Sequence, residues 1–188
     1  MATLGALMRV NTMRALTARL ARTMVLHFKH RSNDLTALSA QETSALLACA
    51  RRLRESPAAA NAHALRGKKL CMLSVAHDHP GVALLLQAAT GLGAHVAQVP
   101  PSLSASSSVN EIQHTARLLG RLYDGVACVG LPSDLVHRIA ADANVPVFDG
   151  IAAPDHPVAR LADQLGNGTP EQANQCLMIQ ALLLCTLA

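Results

Sequence analysis

Apolar residues recur along this chain in two rhythms, and the alternation between them predicts the fold. Leu38, Leu46, Cys49, Ala50 and Leu53 follow at helical spacing around Ser39-Ala40-Gln41-Glu42, a capping box in which Ser and Glu satisfy each other's backbone N–H, so a helix is expected over about 40–55. A short apolar run, Leu70 to Val75, has the length of a strand and is followed by a loop at His77-Asp78-His79-Pro80-Gly81. The pattern then repeats. A helix from about Val82 to Thr90 is stopped by Gly91, and a strand from Ala94 to Val99 is closed by Pro100-Pro101. Ser108-Val109-Asn110-Glu111 is a second capping box, opening a helix with Ile112, Ala116, Leu119 and Tyr123 on one face. Gly125 to Val129 is a third strand, Pro132 to Ala143 a helix and Val145 to Phe148 a fourth strand. Pro157 to Leu165 reads as helical, and Thr169-Pro170-Glu171 places a cap and an N1 proline before a last helix over about 170–187. Continuous apolar strands separated by helices are the signature of a parallel sheet covered on both faces, so the expected fold is an α/β three-layer sandwich with a four-stranded parallel sheet flanked by helices.

Composition sharpens this picture. With 188 residues, 51% of them hydrophobic and 15% charged, the chain is sized for one well-filled domain and has too little polar surface for a disordered tail. Phe28, Tyr123 and Phe148 are its only aromatic residues, which excludes a stacking platform for bases or sugars. The five cysteines, Cys49, Cys71, Cys128, Cys176 and Cys185, form no C-x-x-C pair and lie among apolar neighbours, as buried reduced thiols would.

The formal charge of +4 is unevenly spread. Residues 1–33 carry Arg9, Arg14, Arg19, Arg22, Lys29 and Arg31 and no acid, a charge of +6, whereas residues 34–188 hold ten bases and twelve acids, a charge of −2. The basicity therefore belongs to an arm rather than to the domain, which argues against a nucleic-acid footprint. Its arginines interrupt every apolar stretch, so it reads as a basic mitochondrial-targeting-like arm over 1–33 and not as a secretory signal. No uncharged run is long enough for a membrane span.

Local motifs offer little catalytic chemistry. Gly91-Leu92-Gly93 precedes a strand, whereas a phosphate loop follows one. His77 and His79 lack a second ligand pair, no G-x-S-x-G elbow is present, and Ser102 to Ser108 reads as a mobile loop. Ligands of such a fold bind at the carboxyl ends of the strands, and the first loop there, 76–81, contains no Arg, Lys, Ser or Thr.

The order of segments resembles the N-terminal carbamoyl-phosphate domain of the aspartate/ornithine carbamoyltransferase family. The resemblance is carried by Leu35 to Leu53, by Leu65-Arg66-Gly67-Lys68-Lys69-Leu70 and by Gly91 to Val96. It continues through Thr115 to Asp124, Val145 to Gly150 and Asp155 to Asp163, covering about 26–165 in one consistent order. The family's Ser-Thr-Arg-Thr-Arg phosphate loop falls on His77, Asp78, His79, Pro80 and Gly81, without either arginine or any hydroxyl. Asp78 puts a carboxylate where phosphate would sit; two charges about 4 Å apart at an effective dielectric near 20 repel by roughly 4 kcal/mol. The family's Arg-Thr pair after the third strand is Val129-Gly130 here, and of its His-Pro-Cys-Gln motif only His156-Pro157 remains, followed by Val158 and Ala159. His156 is thereby the sole survivor of the ligand set, and as a lone residue it reads as packing or fixing its loop.

Residues 172–183 resemble the family's last helix, which returns from the second domain, yet only Gly166-Asn167-Gly168 separate it from the preceding helix. The resemblance thus implies loss of the domain that binds ornithine or aspartate, leaving 34–188 as a carbamoyltransferase N-terminal-like domain closed by its C-terminal helix. On these grounds the chain is expected to be a non-catalytic pseudoenzyme with no catalytic, cofactor-binding or metal-binding residue. Its expected role is an accessory structural subunit of a large mitochondrial assembly, a respiratory-chain complex first and a mitochondrial ribosome second. The expected location is the mitochondrial matrix or the matrix side of the inner membrane. Its expected partners are other protein subunits, docked in part through the trimer surface that the resemblance implies, with no nucleic acid. Two alternatives stay open: a divergent transferase that takes phosphate ligands and a second domain from a partner chain, and a regulator that mixes into trimers with an active paralogue.

Overall fold

A computed structural model describes residues 38–76, 78–166 and 170–188. The basic arm, His77 and Thr169 lie outside them. Helix α1 (Ala40–Glu55) begins at the first capping box: Glu42 N–H donates to Ser39 Oγ, and Ser39 N–H donates back to the Glu42 carboxylate. A four-residue helix, α2 (Ala58–Asn61), follows; its short Ala-rich sequence has no periodicity that would reveal it. The chain then alternates through β1 (Lys69–Ser74), α3 (Pro80–Gly91), β2 (His95–Val99), α4 (Val109–Leu122), β3 (Gly125–Val129), α5 (Ser133–Ala143) and β4 (Val147–Asp149). It ends with α6 (Pro157–Ala162), a 3₁₀ turn (Asp163–Leu165) and α7 (Glu171–Leu187).

The expected elements are therefore present, with shifted ends that have local causes. β1 stops at Ser74, whose hydroxyl donates to Ala76 O (2.6 Å), and Val75 turns out to 65% exposure. α3 starts two residues before Val82, because Pro80 is preset for the first helical turn. The fourth strand is shifted to Val147–Asp149, since Pro146 can offer only its carbonyl, which accepts from Val126 N–H (2.9 Å). Pro170 stands at the N-cap of α7 rather than at N1. Gly93 enters β2 with φ +82°, where a side chain would also strike Ala62 O.

The sheet order is β2-β1-β3-β4, all parallel. Right-handed crossovers then fix the layers. The step β1 to β2 runs one way along the sheet and the steps into β3 and β4 run the other, so α3 lies on one face and α4 and α5 on the opposite one. The burial pattern agrees. Leu70, Met72, Ala127, Val129 and Phe148 share a core with α1, α3, α6 and α7, while Cys71, Leu73, Val126, Cys128 and Val147 share one with α4 and α5. The winding reverses between β1 and β3, and a crevice outside the carboxyl ends of those strands is where this topology holds ligands.

Candidate functional site at the carboxyl ends of the strands

Three loops meet the crevice: the one after β1, the one after β3 and the one after β4. The first and third adjoin, because a Cβ added at Gly81 would lie 3.3 Å from Ala152 Cβ. Each of these two loops opens its helix in the same way. His79 is the N-cap of α3, with Gly81 N–H donating to its Nδ1 (3.1 Å), and His156 is the N-cap of α6, with Val158 N–H donating to its Nδ1 (3.2 Å). A proline follows each histidine. An uncharged imidazole that accepts through Nδ1 carries its proton on Nε2, so each cap leaves one N–H donor free for a ligand.

His156 fixes the start of its helix through this bond, and His79 does the same. Sequence alone gave no sign of this, because histidine is not among the preferred capping residues. The cap also uses part of the helix terminus. Gly81 N–H goes to the imidazole, Val82 N–H goes to His79 O (2.8 Å), and Pro80 has none, so the first three positions of α3 present no open amide to an anion in this arrangement. Asp78 is exposed at the loop tip, and Gly130, after β3, takes φ +73° with open space around its missing side chain.

Burial pushes the His156 imidazole below its ordinary value, opposed by the nearby carboxylates of Asp149 and Asp155 and assisted slightly by Arg160. A histidine held below its unfolded value of about 6.5 adds stability that is complete above that pH and is lost as pH falls through the folded value. Melting curves are therefore expected to shift to lower temperature between pH 7.5 and 5.5. His156→Asn, which retains a capping side chain but does not titrate, should flatten part of that shift; an unchanged slope would refute the assignment.

The thiols near the strand ends are not nucleophiles. Burial pushes Cys71 up to about 11 and, with the charges of Asp149 and Cys71, Cys128 up to about 12. Ser104 and Ser106 hydroxyls bond each other (2.8 Å) in an exposed turn, away from any base. Among the described residues no group of three or more His, Cys, Asp or Glu could hold a metal, and no helix is long and apolar enough to cross a membrane.

Comparison with known proteins fits the geometry. The family described as "Aspartate/ornithine carbamoyltransferase, carbamoyl-P binding domain" matches residues 29–166. An ornithine carbamoyltransferase of Neisseria mucosa is 44% identical over 78 residues, which are 42% of this chain and 30% of that protein. One from Cutibacterium acnes is 36% identical over 101 residues, 54% of this chain and 30% of its own length. The solved ornithine carbamoyltransferase of Thermus thermophilus superposes with TM-score 0.56 at 25% identity, covering 71% of this chain and 46% of that one. The matched stretch thus spans about a third of the curated relatives.

These relatives are enzymes, which overturns the expectation of a non-catalytic pseudoenzyme serving as an accessory subunit of a respiratory-chain complex. The repulsion expected at Asp78 is also smaller than first reckoned. Asp78 is exposed, so a charge about 4 Å away feels it through a dielectric near that of water, and the repulsion falls from roughly 4 to about 1 kcal/mol. A penalty of that size weakens an anion site without abolishing it. Sheet order, the twin capped loops and the matched residues lead to one assignment: the chain belongs to the carbamoyl-P binding domain family of the aspartate/ornithine carbamoyltransferases.

Proposed function

We propose that this chain supplies the carbamoyl-phosphate half of a carbamoyltransferase active site, acting on ornithine as second substrate. The observation that supports this most is the family match over residues 29–166; His156 opens the helix after β4 and feels the charge of Asp149, the last residue of that strand. In the transfer, an amine nitrogen attacks the carbamoyl carbon, the bond from that carbon to the phosphate oxygen breaks, and phosphate leaves with the proton that the amine gives up. Negative charge gathers on the carbonyl oxygen in between. The Nε2–H left free by the His156 cap is a donor suited to that oxygen. The β1 loop from Asp78 to Gly81 has no cationic Lys or Arg, so charge on the phosphate is met by groups outside this loop.

The test is citrulline formation from carbamoyl phosphate and ornithine by the full chain, purified together with whatever chains accompany it, alongside calorimetric titration with carbamoyl phosphate. Saturable binding and citrulline release are expected. His156→Ala should lower turnover by about a hundredfold, the usual effect of losing one oxyanion donor. Asp78→Asn should tighten carbamoyl phosphate binding about fivefold, from removal of the exposed charge. Absence of both binding and citrulline in the folded preparation would overturn the proposal.

A further inference from the structure

At the amino ends of the strands, opposite the candidate site, a cavity of about 470 Å³ opens between the start of β1, the approaches to β3 and β4 and the last turns of α4 and α7. Three cations line it: Lys68 and Lys69 where β1 begins, and Arg121 in the last turn of α4. The single ion pair between described residues is Arg117 with Asp142, and none of these three side chains has a hydrogen-bond or ion-pair partner among the described residues. Asp124 shares the cavity, but its carboxylate is directed to the backbone: Oδ2 accepts from Lys69 N–H (2.8 Å), while Asp124 N–H donates to Lys69 O (2.8 Å). Neither Asp124 nor Ala188, which also lies on the rim, is ion-paired to a cation. We propose that this cavity is a binding site for a small molecule carrying a diphosphate group.

Like charges gathered in one cavity without a counter-ion repel one another, and walls of low dielectric concentrate ligands of the opposite sign there. The ends of α4 and α7 direct the negative poles of their dipoles at the same place, which offsets part of that repulsion. Several of the carbonyls around the cavity are already spent. Leu119 O accepts from Tyr123 N–H (3.0 Å) and Leu184 O from Ala188 N–H (3.2 Å), while on the strand side Lys68 O takes His95 N–H (2.8 Å) and Pro146 O takes Val126 N–H (2.9 Å). The free donors are therefore the two ammonium groups and the guanidinium. They come from two walls, the lysines from the strand side and Arg121 from the helix side, so a ligand that satisfies both carries anionic groups at two positions. The arginine fork suits one phosphate and the lysine point charges the other. The volume falls within the range of small-molecule sites. Five strand steps from Lys69 to Ser74 put the cavity roughly 16 Å from the crevice at the carboxyl ends, and the proposal stands apart from the catalytic reading.

The test is calorimetric titration of the full chain with sodium pyrophosphate, backed by thermal shift, with inorganic phosphate for comparison. One saturable site is expected, about tenfold tighter for pyrophosphate than for phosphate, and unchanged by an excess of carbamoyl phosphate. Binding should weaken as sodium chloride rises from about 50 to about 300 mM. Lys69→Gln and Arg121→Gln, both at exposed positions, should each weaken binding about fivefold and together about twentyfold, whereas Lys69→Arg, which keeps the charge, should bind within about twofold of the parent. If the double variant does not fold, the single variants and Lys69→Arg decide. Displacement by carbamoyl phosphate, equal affinity for phosphate, or no binding by either method would each overturn the proposal. So would neutral variants that melt at lower temperature yet bind pyrophosphate as before, because the cations would then serve only the helix ends.

Discussion

Replacing Gly120 by alanine is expected to destabilise the protein by about 3 kcal/mol and lower its melting temperature by roughly 6–12 °C, even though alanine is the better helix former. Gly120 sits near the end of α4 where that helix meets the last turn of α5, and an added Cβ would land inside the carbonyl oxygen of Ala143. A flexible side chain could swing aside; a backbone carbonyl at a helix end cannot, so the helices must separate and loosen Ile112, Ala116, Leu119 and Ile139. The intrinsic gain of about 1 kcal/mol for Gly to Ala is too small to offset this. The exposed ion pair between the same helices, Arg117 to Asp142 (3.1 Å), contributes under about 1 kcal/mol and cannot hold them together. Gly91→Ala is the control: its Cβ would meet only Nε2 of Gln180, the far end of a flexible side chain whose long bond to Ala88 O (3.3 Å) is all that would give way, so stability should change by less than about 1 kcal/mol. Thermal or urea melts of the two variants decide the matter, and equal effects would show that the α4–α5 approach is not the tight point.

Phe148→Ala should cost more, about 3–5 kcal/mol. Phe148 is 1% exposed on the three-residue strand β4, in a core otherwise built from aliphatic and small side chains. Its ring lies close to Gly125, beside Leu70 and Leu187, so it fills a gap that spans β1, β3, β4 and α7. Gly125 has no side chain to move into the space, and the neighbouring leucines are already packed. The cavity should persist, and the midpoint of urea unfolding should drop accordingly; a loss below about 1 kcal/mol would mean that the core refills. Phe148→Leu, which keeps most of the volume, should recover more than half of the loss.

The architecture was legible because it depends on local signals. Two Ser-x-x-Glu boxes, apolar runs at 70–75 and 125–129, and the Pro and Gly residues between them placed nearly every element, and the element order gave the parallel sheet. What escaped depends on distant neighbours. Nothing near Gly120 announces Ala143. The candidate site was half legible. The loop after β1 could be located, but the common construction of its end and the end of the β4 loop became evident only when Nδ1 of His79 and of His156 were each found accepting an amide N–H. The weight of Asp78 was not legible either, because its exposure, which weakens its field, belongs to the folded loop.

Helix α7 covers the face of the sheet that α3 alone cannot close, and it is made after all four strands. Met72, Leu85 and Phe148 leave the translation machinery well before Met178, Ile179, Leu182 and Leu183 arrive to shield them. At 5–20 residues per second, the interval between β1 and the end of α7 is on the order of ten seconds. For that time the nascent polypeptide carries a half-covered apolar face of the sheet.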